Sequence, residues 1–252
     1  MKKYFILLFS LSIVIPSAFA NVVIQNDQHY IGDDGAFHVV GEVQNNLKSP
    51  LNQVTVYLTV YDENQNIIET RETRSLVNTI MPQMRGPFDF ILTGMDSKKM
   101  ESYSLDFDYS ISQPKGQVID ITSSQITRDA HNNIIISGTV ENNGDITANT
   151  VAVVATIYDK EGNVAAVSRM HPEPDYLGSE EDTFFVITIP DKNQISEMTD
   201  YAIIAESEEY AAVPEFPIGS LVLLAGSVST YVGITRYSGR IIANLISATN
   251  PK

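Results

Sequence analysis

The chain contains no cysteine and no tryptophan, and its 16 lysines and arginines face 31 aspartates and glutamates. Without cysteine there can be no disulfide, no thiol nucleophile, no Cys-based zinc site and no blue-copper site, so any fold is held by its apolar core alone. Between Asn21 and Val213 the balance is 11 − 30 = −19. A field of that sign attracts cations or basic partners and repels anionic lipid and nucleic acid, whose phosphate backbone demands the opposite charge. No Asn-x-Ser/Thr sequon occurs. Tyrosine and phenylalanine, which suit strands, are plentiful.

Both ends carry signals. Lys2 and Lys3 precede an apolar run from Tyr4 to Ile15 and then Pro16-Ser17-Ala18-Phe19-Ala20. This is the pattern of a secretory signal peptide, with Ala18 and Ala20 as the cleavage-site small residues and Asn21 as the mature N-terminus. At the other end, the 20 residues from Phe216 to Thr235 are uncharged and are followed by Arg236 and Arg240. About 20 helical residues cross a bilayer core, and the basic pair reads as a stop-transfer signal left on the cytoplasmic side. The expected topology is type I, with the acidic part outside. Gly219, Gly226 and Gly233 share one helical face of that span.

The exported part contains itself twice. Gly41-Glu42-Val43-Gln44-Asn45-Asn46 returns as Gly138-Thr139-Val140-Glu141-Asn142-Asn143, a shift of 138 − 41 = 97 residues. Over His38 to Ile67 the two copies share 11 identities in 30 ungapped positions, including Tyr61-Asp62 against Tyr158-Asp159. Val54, Val56, Leu58 and Val60 alternate with Thr55, Tyr57, Thr59 and Tyr61, the two-residue period of a strand with one face inward. In the second copy the other face, Ala152, Val154, Thr156 and Tyr158, is less polar than a solvated surface.

Further strands are expected over Phe37–Val43, Phe88–Leu92, Tyr103–Tyr109, Ile134–Val140, Thr183–Ile189 and Tyr201–Glu206, with turns at 33–35, 62–66 and 159–163. The resulting fold class is all-β: two tandem immunoglobulin-like β-sandwiches plus an N-terminal signal peptide and a C-terminal transmembrane helix. The segments are 1–20, signal peptide; 21–112 and 113–206, the sandwiches; 207–215, acidic stalk and sorting motif; 216–235, membrane span; and 236–252, cytoplasmic tail. Gln113-Pro114-Lys115-Gly116 is the expected linker, short enough to set the domains end to end. The run from Glu206 to Ala212 reads as a flexible stalk.

The repeated Gly-x-Val-x-Asn, followed by a strand ending in Tyr-Asp, resembles the extracellular β-sandwich family named FxLYD, with Val60 or Ile157 at the family's Leu. That resemblance implies a surface setting and no catalysis. Val213-Pro214-Glu215-Phe216, ahead of the span and basic tail, is similar to the PEF-type sorting signals of archaeal surface proteins. This similarity implies processing by an archaeosortase. Pro217 and the tail beyond Arg240 depart from that pattern.

Little in the sequence promises chemistry. His29, His38, His131 and His171 are not at metal-binding spacing; His29 and His131 sit in polar segments before strands and His171 in a loop before Pro172. No Gly-x-Ser-x-Gly elbow or phosphate-cradling loop occurs. Asp62-x-Asn64-x-Asn66 resembles the start of a calcium loop, but Thr73 stands where the bidentate glutamate belongs, and Met170 stands there in the second copy. Asp and Asn side chains bonding their own turn explain both copies. The expectation is therefore a non-enzymatic cell-surface protein without cofactor, acting in adhesion, envelope structure or surface assembly. Its partners would be the membrane, other surface proteins or copies of itself. The alternative is an extracellular cation- or solute-binding module of a membrane complex.

Overall fold

A computed structural model describes residues 21–213 except 34, 95–99, 191–193 and 195–197. The signal peptide and its Ala18 and Ala20 lie outside the described residues, as do Pro214, Glu215, Phe216, the span 216–235, Arg236 and Arg240. The described chain is all-β. Its thirteen strands are β1 (Val22–Ile31), β2 (Phe37–Asn45), β3 (Leu51–Tyr61), β4 (Ile67–Arg74), β5 (Thr79–Ile80), β6 (Arg85–Leu92), β7 (Ser102–Ile111), β8 (Ile119–Arg128), β9 (Ile134–Asn142), β10 (Ala152–Tyr158), β11 (Val164–Met170), β12 (Asp182–Ile189) and β13 (Asp200–Glu206). All the expected strands are present.

The strands form four antiparallel sheets in two sandwich-like pairs. Sheet β1-β2-β6 and the sheet of β4, β3, β5 and β7 enclose one core, which includes Val39, Val56, Leu58, Ile80 and Phe88. Sheets β8-β9-β12 and β10-β11-β13 enclose another, built on Ile136, Val153, Ile157, Phe185 and Ile187. The strands not anticipated from sequence are β1, β4, β5, β8 and β11, and all five stand at the edge of their sheet. An edge strand such as β4, IIETRETR, is exposed on most of its length and so carries no clean alternation.

The 97-residue repeat is reproduced in its asparagine contacts and its turns. The Asn45 amide donates to the carbonyls of Ser49 and Ile80 while its Oδ1 accepts from Leu47 N–H. The Asn142 amide does the same with Ile146, Leu177 and Gly178, and its Oδ1 accepts from Gly144 N–H. Backbone positions with positive φ recur in register: Gln53 and Thr150, Gln65 and Gly162, Gln83 and Glu180. The repeated asparagine is thus a buried clamp that ties the turn after its own strand to a second segment. Replacing Asn142 with Ala removes the donor to the Ile146 and Gly178 carbonyls and the acceptor of the Gly144 N–H, with an expected stability loss of about 2–4 kcal/mol in urea unfolding; Asn45→Ala falls in the same range.

Asp62 closes its hairpin as expected. Its Oδ1 accepts from the N–H groups of Asn64 and Asn66, both at 2.8 Å, and its Oδ2 accepts from the Asn66 amide. The Asn66 side chain, then its N–H, hold the Asp62 carboxyl below the ordinary value. Asp159 repeats the arrangement with Glu161 and Asn163, and Asp129 does so with His131 and Asn133.

Three expectations need correction. The two halves lie face against face, not end to end, because the outer face of β10 is apolar and is covered by the first half. Second, residues 207–212 are not a free stalk. Ser207, Ala211 and Ala212 are buried, Ala211 N–H donates to the Gly116 carbonyl, and Ala212 bridges Ile119 in parallel. Lys115 Nζ reaches the Glu208 carbonyl at 2.6 Å and the Gln117 amide reaches that of Ala212 at 2.6 Å. Linker and tail run side by side, so the chain leaves the described structure at the waist between the halves. Third, His29 is not in a polar segment ahead of a strand. It lies on β1, exposed, with its ring against Phe37 and Tyr103.

Candidate functional site: the joint between the halves

β10 shows why the halves meet. Six of its seven residues, Ala152 to Ile157, are buried, which a strand with one solvated face does not show. Its inward side packs on Ile136 and Ile187, and Val154 joins the core of the first half instead. β2 is the counterpart: His38, Val40 and Glu42 on its outer face are all buried. Tyr30 and Val40 cluster with Val164, Tyr158 and Val167, so β11 lies across the outer face of β1 and β2.

Two buried carboxylates pin this contact. Glu42 is 1% exposed. Its Oε1 accepts from the Tyr158 hydroxyl at 2.5 Å, and its Oε2 accepts from Asn26 Nδ2 at 3.1 Å and Arg85 Nη1 at 3.4 Å. Burial, then the Glu42 charge, push the Tyr158 phenol well above its ordinary value, so the hydroxyl keeps its proton and donates. Glu206, also 1% exposed, accepts from the Asn78 N–H at 2.9 and 3.0 Å and from Arg169 Nη1 at 3.2 Å. Arg169 Nη1 also donates to the Leu76 carbonyl. Burial raises the Glu206 carboxyl, opposed by the Asn78 N–H and by Arg169. Between the pins the Gln28 amide donates to the Val164 carbonyl at 2.7 Å. His38, stacked on Tyr30 at 4.8 Å, sets Nδ1 3.1 Å from both oxygens of Asp89.

Beside Glu42 the halves leave a cleft of about 720 Å³, lined by Asn26, Arg85, Tyr158, Lys160, Glu161 and Asp200 among others. Its charges are mixed. Among the described residues no group of three or more His, Asp and Glu is placed to hold a metal ion.

The repeat is broken where the joint requires it. At the position of Glu42 the second copy has Thr139, and the hydroxyl of Tyr61, the counterpart of Tyr158, pairs with Ser104 of its own half. Each half therefore keeps one outer face open. On β4-β3-β7 that face carries Tyr57 between Glu72 and Asp106, and Thr55 between Arg74 and Asp108. On β8-β9-β12 the rows are Phe184–Thr139–Ser123, Val186–Ser137–Gln125 and Thr188–Ile135–Thr127, with Asp182–Glu141–Asp120 at one end.

Sequence alone marked Glu42 and Tyr158 only as repeat positions, Glu206 only as a strand end and the start of the stalk, and Arg169 not at all. The weakly polar outer face of β10 was the one visible hint of the joint. Of the sorting-motif residues, only Val213 lies within the described part, half-buried after Ala212. Among the described residues no helix is long and apolar enough to cross a membrane.

No protein-family model matches the chain, and no curated protein does. Solved structures that match include an exo-chitosanase of Amycolatopsis orientalis (10% identity over 78% of this chain and 26% of that one, TM-score 0.28). A β-D-mannosidase of Dictyoglomus thermophilum matches at 10% identity over 75% of this chain and 30% of its own, with a TM-score of 0.30. A transglutaminase of red sea bream matches at 9% over 76% and 29%, with a TM-score of 0.25. This chain spans less than a third of each, and likeness at this level transfers neither activity nor substrate.

Proposed function

We propose that the chain is a non-enzymatic, membrane-anchored cell-surface protein whose two tandem immunoglobulin-like sandwiches act as one rigid body in adhesion, envelope structure or surface assembly. In this reading the FxLYD-like modules are exported by the signal peptide ending at Ala20. Residues 216–235 hold them at an archaeal membrane with Arg236 and Arg240 inside, and an archaeosortase reads Val213 to Phe216. The observation that carries the reading is the joint. Two buried carboxylates and a shared apolar contact fix the halves, a construction suited to presenting surface and not to opening around a substrate. The exit of the chain at Val213 beside the joint would lay both halves across the membrane surface.

Membrane fractionation with mass analysis of both termini tests this. The expected result is membrane sedimentation, protease accessibility from outside and an N-terminus at Asn21. A soluble cytoplasmic chain that keeps Met1 overturns it. The mixed-charge cleft beside Glu42 is the observation that favours the second reading, a cation- or solute-binding module. A saturable, stoichiometric heat on titration with calcium would move the assignment there.

A further inference from the structure

We propose that the outer face of β8-β9-β12 is a self-association surface at which two copies of the chain meet across a two-fold axis. The proposal deepens the surface-assembly reading and rests on it only for the high local concentration that a shared membrane supplies.

Phe184 and Val186 are 60% and 43% exposed, two residues apart on one strand. Their counterparts 97 residues earlier, Pro87 and Asp89, lie on the sheet face that the first half buries against the second. The fold thus already uses this face for sheet-on-sheet packing, and the second half leaves it open. Its three central rows carry no charge, in an exported part with a net charge of 11 − 30 = −19. A basic partner would call for carboxylates in that centre; contact with another copy of a strongly acidic chain calls for their absence.

Charge also selects the symmetry. A head-to-tail repeat of the internal joint would use the β4-β3-β7 face of the next copy. There Glu72 occupies the place of Arg169, and Asp108 that of Glu206. They would meet Glu173 and Asp175, the counterparts of Leu76 and Asn78. Four carboxylates would replace a pinned pair. A two-fold axis along the row Val186–Ser137–Gln125 avoids this. It reverses strand direction, sets Val186 on its own copy and places Phe184 over the partner's Thr188. The acidic row stands four residues, about 13 Å, from the axis, so the two acidic rows lie about 26 Å apart, beyond the roughly 8 Å screening length of physiological salt. Each faces the partner's Asn133 and Asp129, so Asp120 meets a single carboxylate, one whose oxygens already accept from Asn133 in its own turn. A face of three short strands buries less than the roughly 800 Å² per partner of a stable complex, so the contact needs the membrane to concentrate it.

Because the chain has no cysteine, one substitution gives a clean probe. Full-length Val186→Cys, in membranes of cells that export it, is expected to form a disulfide-linked homodimer on mild oxidation, several-fold more than Ile67→Cys. Ile67 is 64% exposed and lies on the other open face. Adding Phe184→Lys to Val186→Cys should cut the yield several-fold. The proposal is overturned if Val186→Cys couples no better than Ile67→Cys, if Phe184→Lys has no effect, or if the main product contains a different protein. Sedimentation read on the same samples keeps the two questions apart. A chain that fails to sediment with membranes refutes anchoring, while the ratio of the two cysteine variants still reads the contact.

Discussion

Arg169→Met is expected to lower stability by about 3–5 kcal/mol at neutral pH, because it leaves a buried carboxylate without its cation. Glu206 is 1% exposed, and after the substitution it keeps the backbone donors of Asn78 and Thr79 and the weaker influence of the Lys115 charge. The Leu76 carbonyl loses its donor at the same time. The pH dependence has a definite sign. Glu206 already has a carboxyl raised by burial, so its folded state binds the proton more tightly than the unfolded chain does. The burden is absent below the unfolded value and grows as pH rises through the raised one. Removing Arg169 raises that value further, so the gap between variant and parent should be widest at neutral pH and shrink toward mild acid. Arg169→Met with Glu206→Gln removes both charges, and most of the loss should return, since replacing a buried pair is often close to neutral. Urea unfolding of the four proteins as a double-mutant cycle reads the coupling. A loss under about 1 kcal/mol, or one independent of pH, would mean that the pin does not hold the joint.

The joint also marks where sequence reasoning stops. Strand alternation, turn chemistry and the repeat were legible because each is local: Val54 to Val60 point inward, Asp62 caps its own hairpin, and Asn45 and Asn142 stand four residues before the carbonyls of Ser49 and Ile146. Edge strands were less legible: β4 is exposed on most of its length, and β8 packs Ile119, Ile121 and Ile126 on the core but loses its two-residue period at the bulge between Ile121 and Ser123. The pins were hidden for another reason. Glu42 and Tyr158 are 116 residues apart, Asn78 and Glu206 128 apart, and none departs from its local pattern in a way that names its partner. The short linker was read for length alone. Its length permits a side-by-side arrangement as well as an end-to-end one, and the apolar outer face of β10 decides between them.

Gly138→Ala is expected to cost about 3 kcal/mol or more, well above the about 1–3 kcal/mol expected for Gly41→Ala, although the two glycines are the same position of the repeat. Each faces a phenylalanine across the ladder, Gly41 opposite Phe88 and Gly138 opposite Phe185. The ring fills the space that a missing side chain leaves, which is why the repeat keeps glycine next to an aromatic strand. What differs is the other side. A Cβ on Gly41 would stand 2.6 Å from the Phe88 ring and 2.9 Å from Asp27 Cβ, side-chain atoms that can shift. A Cβ on Gly138 would stand 2.0 Å from the Ser123 carbonyl oxygen, which is backbone, and 2.9 Å from the Phe185 ring. The bulge between Ile121 and Ser123 brings that carbonyl in, so relief requires β8 to move away from β9 and loosen an edge of the second half. Urea midpoints of the two alanine variants measure the asymmetry, and amide hydrogen exchange should show lost protection in β8 for Gly138→Ala alone. Equal losses at the two glycines, or protection lost in β1 instead, would show that the bulge is not the constraint.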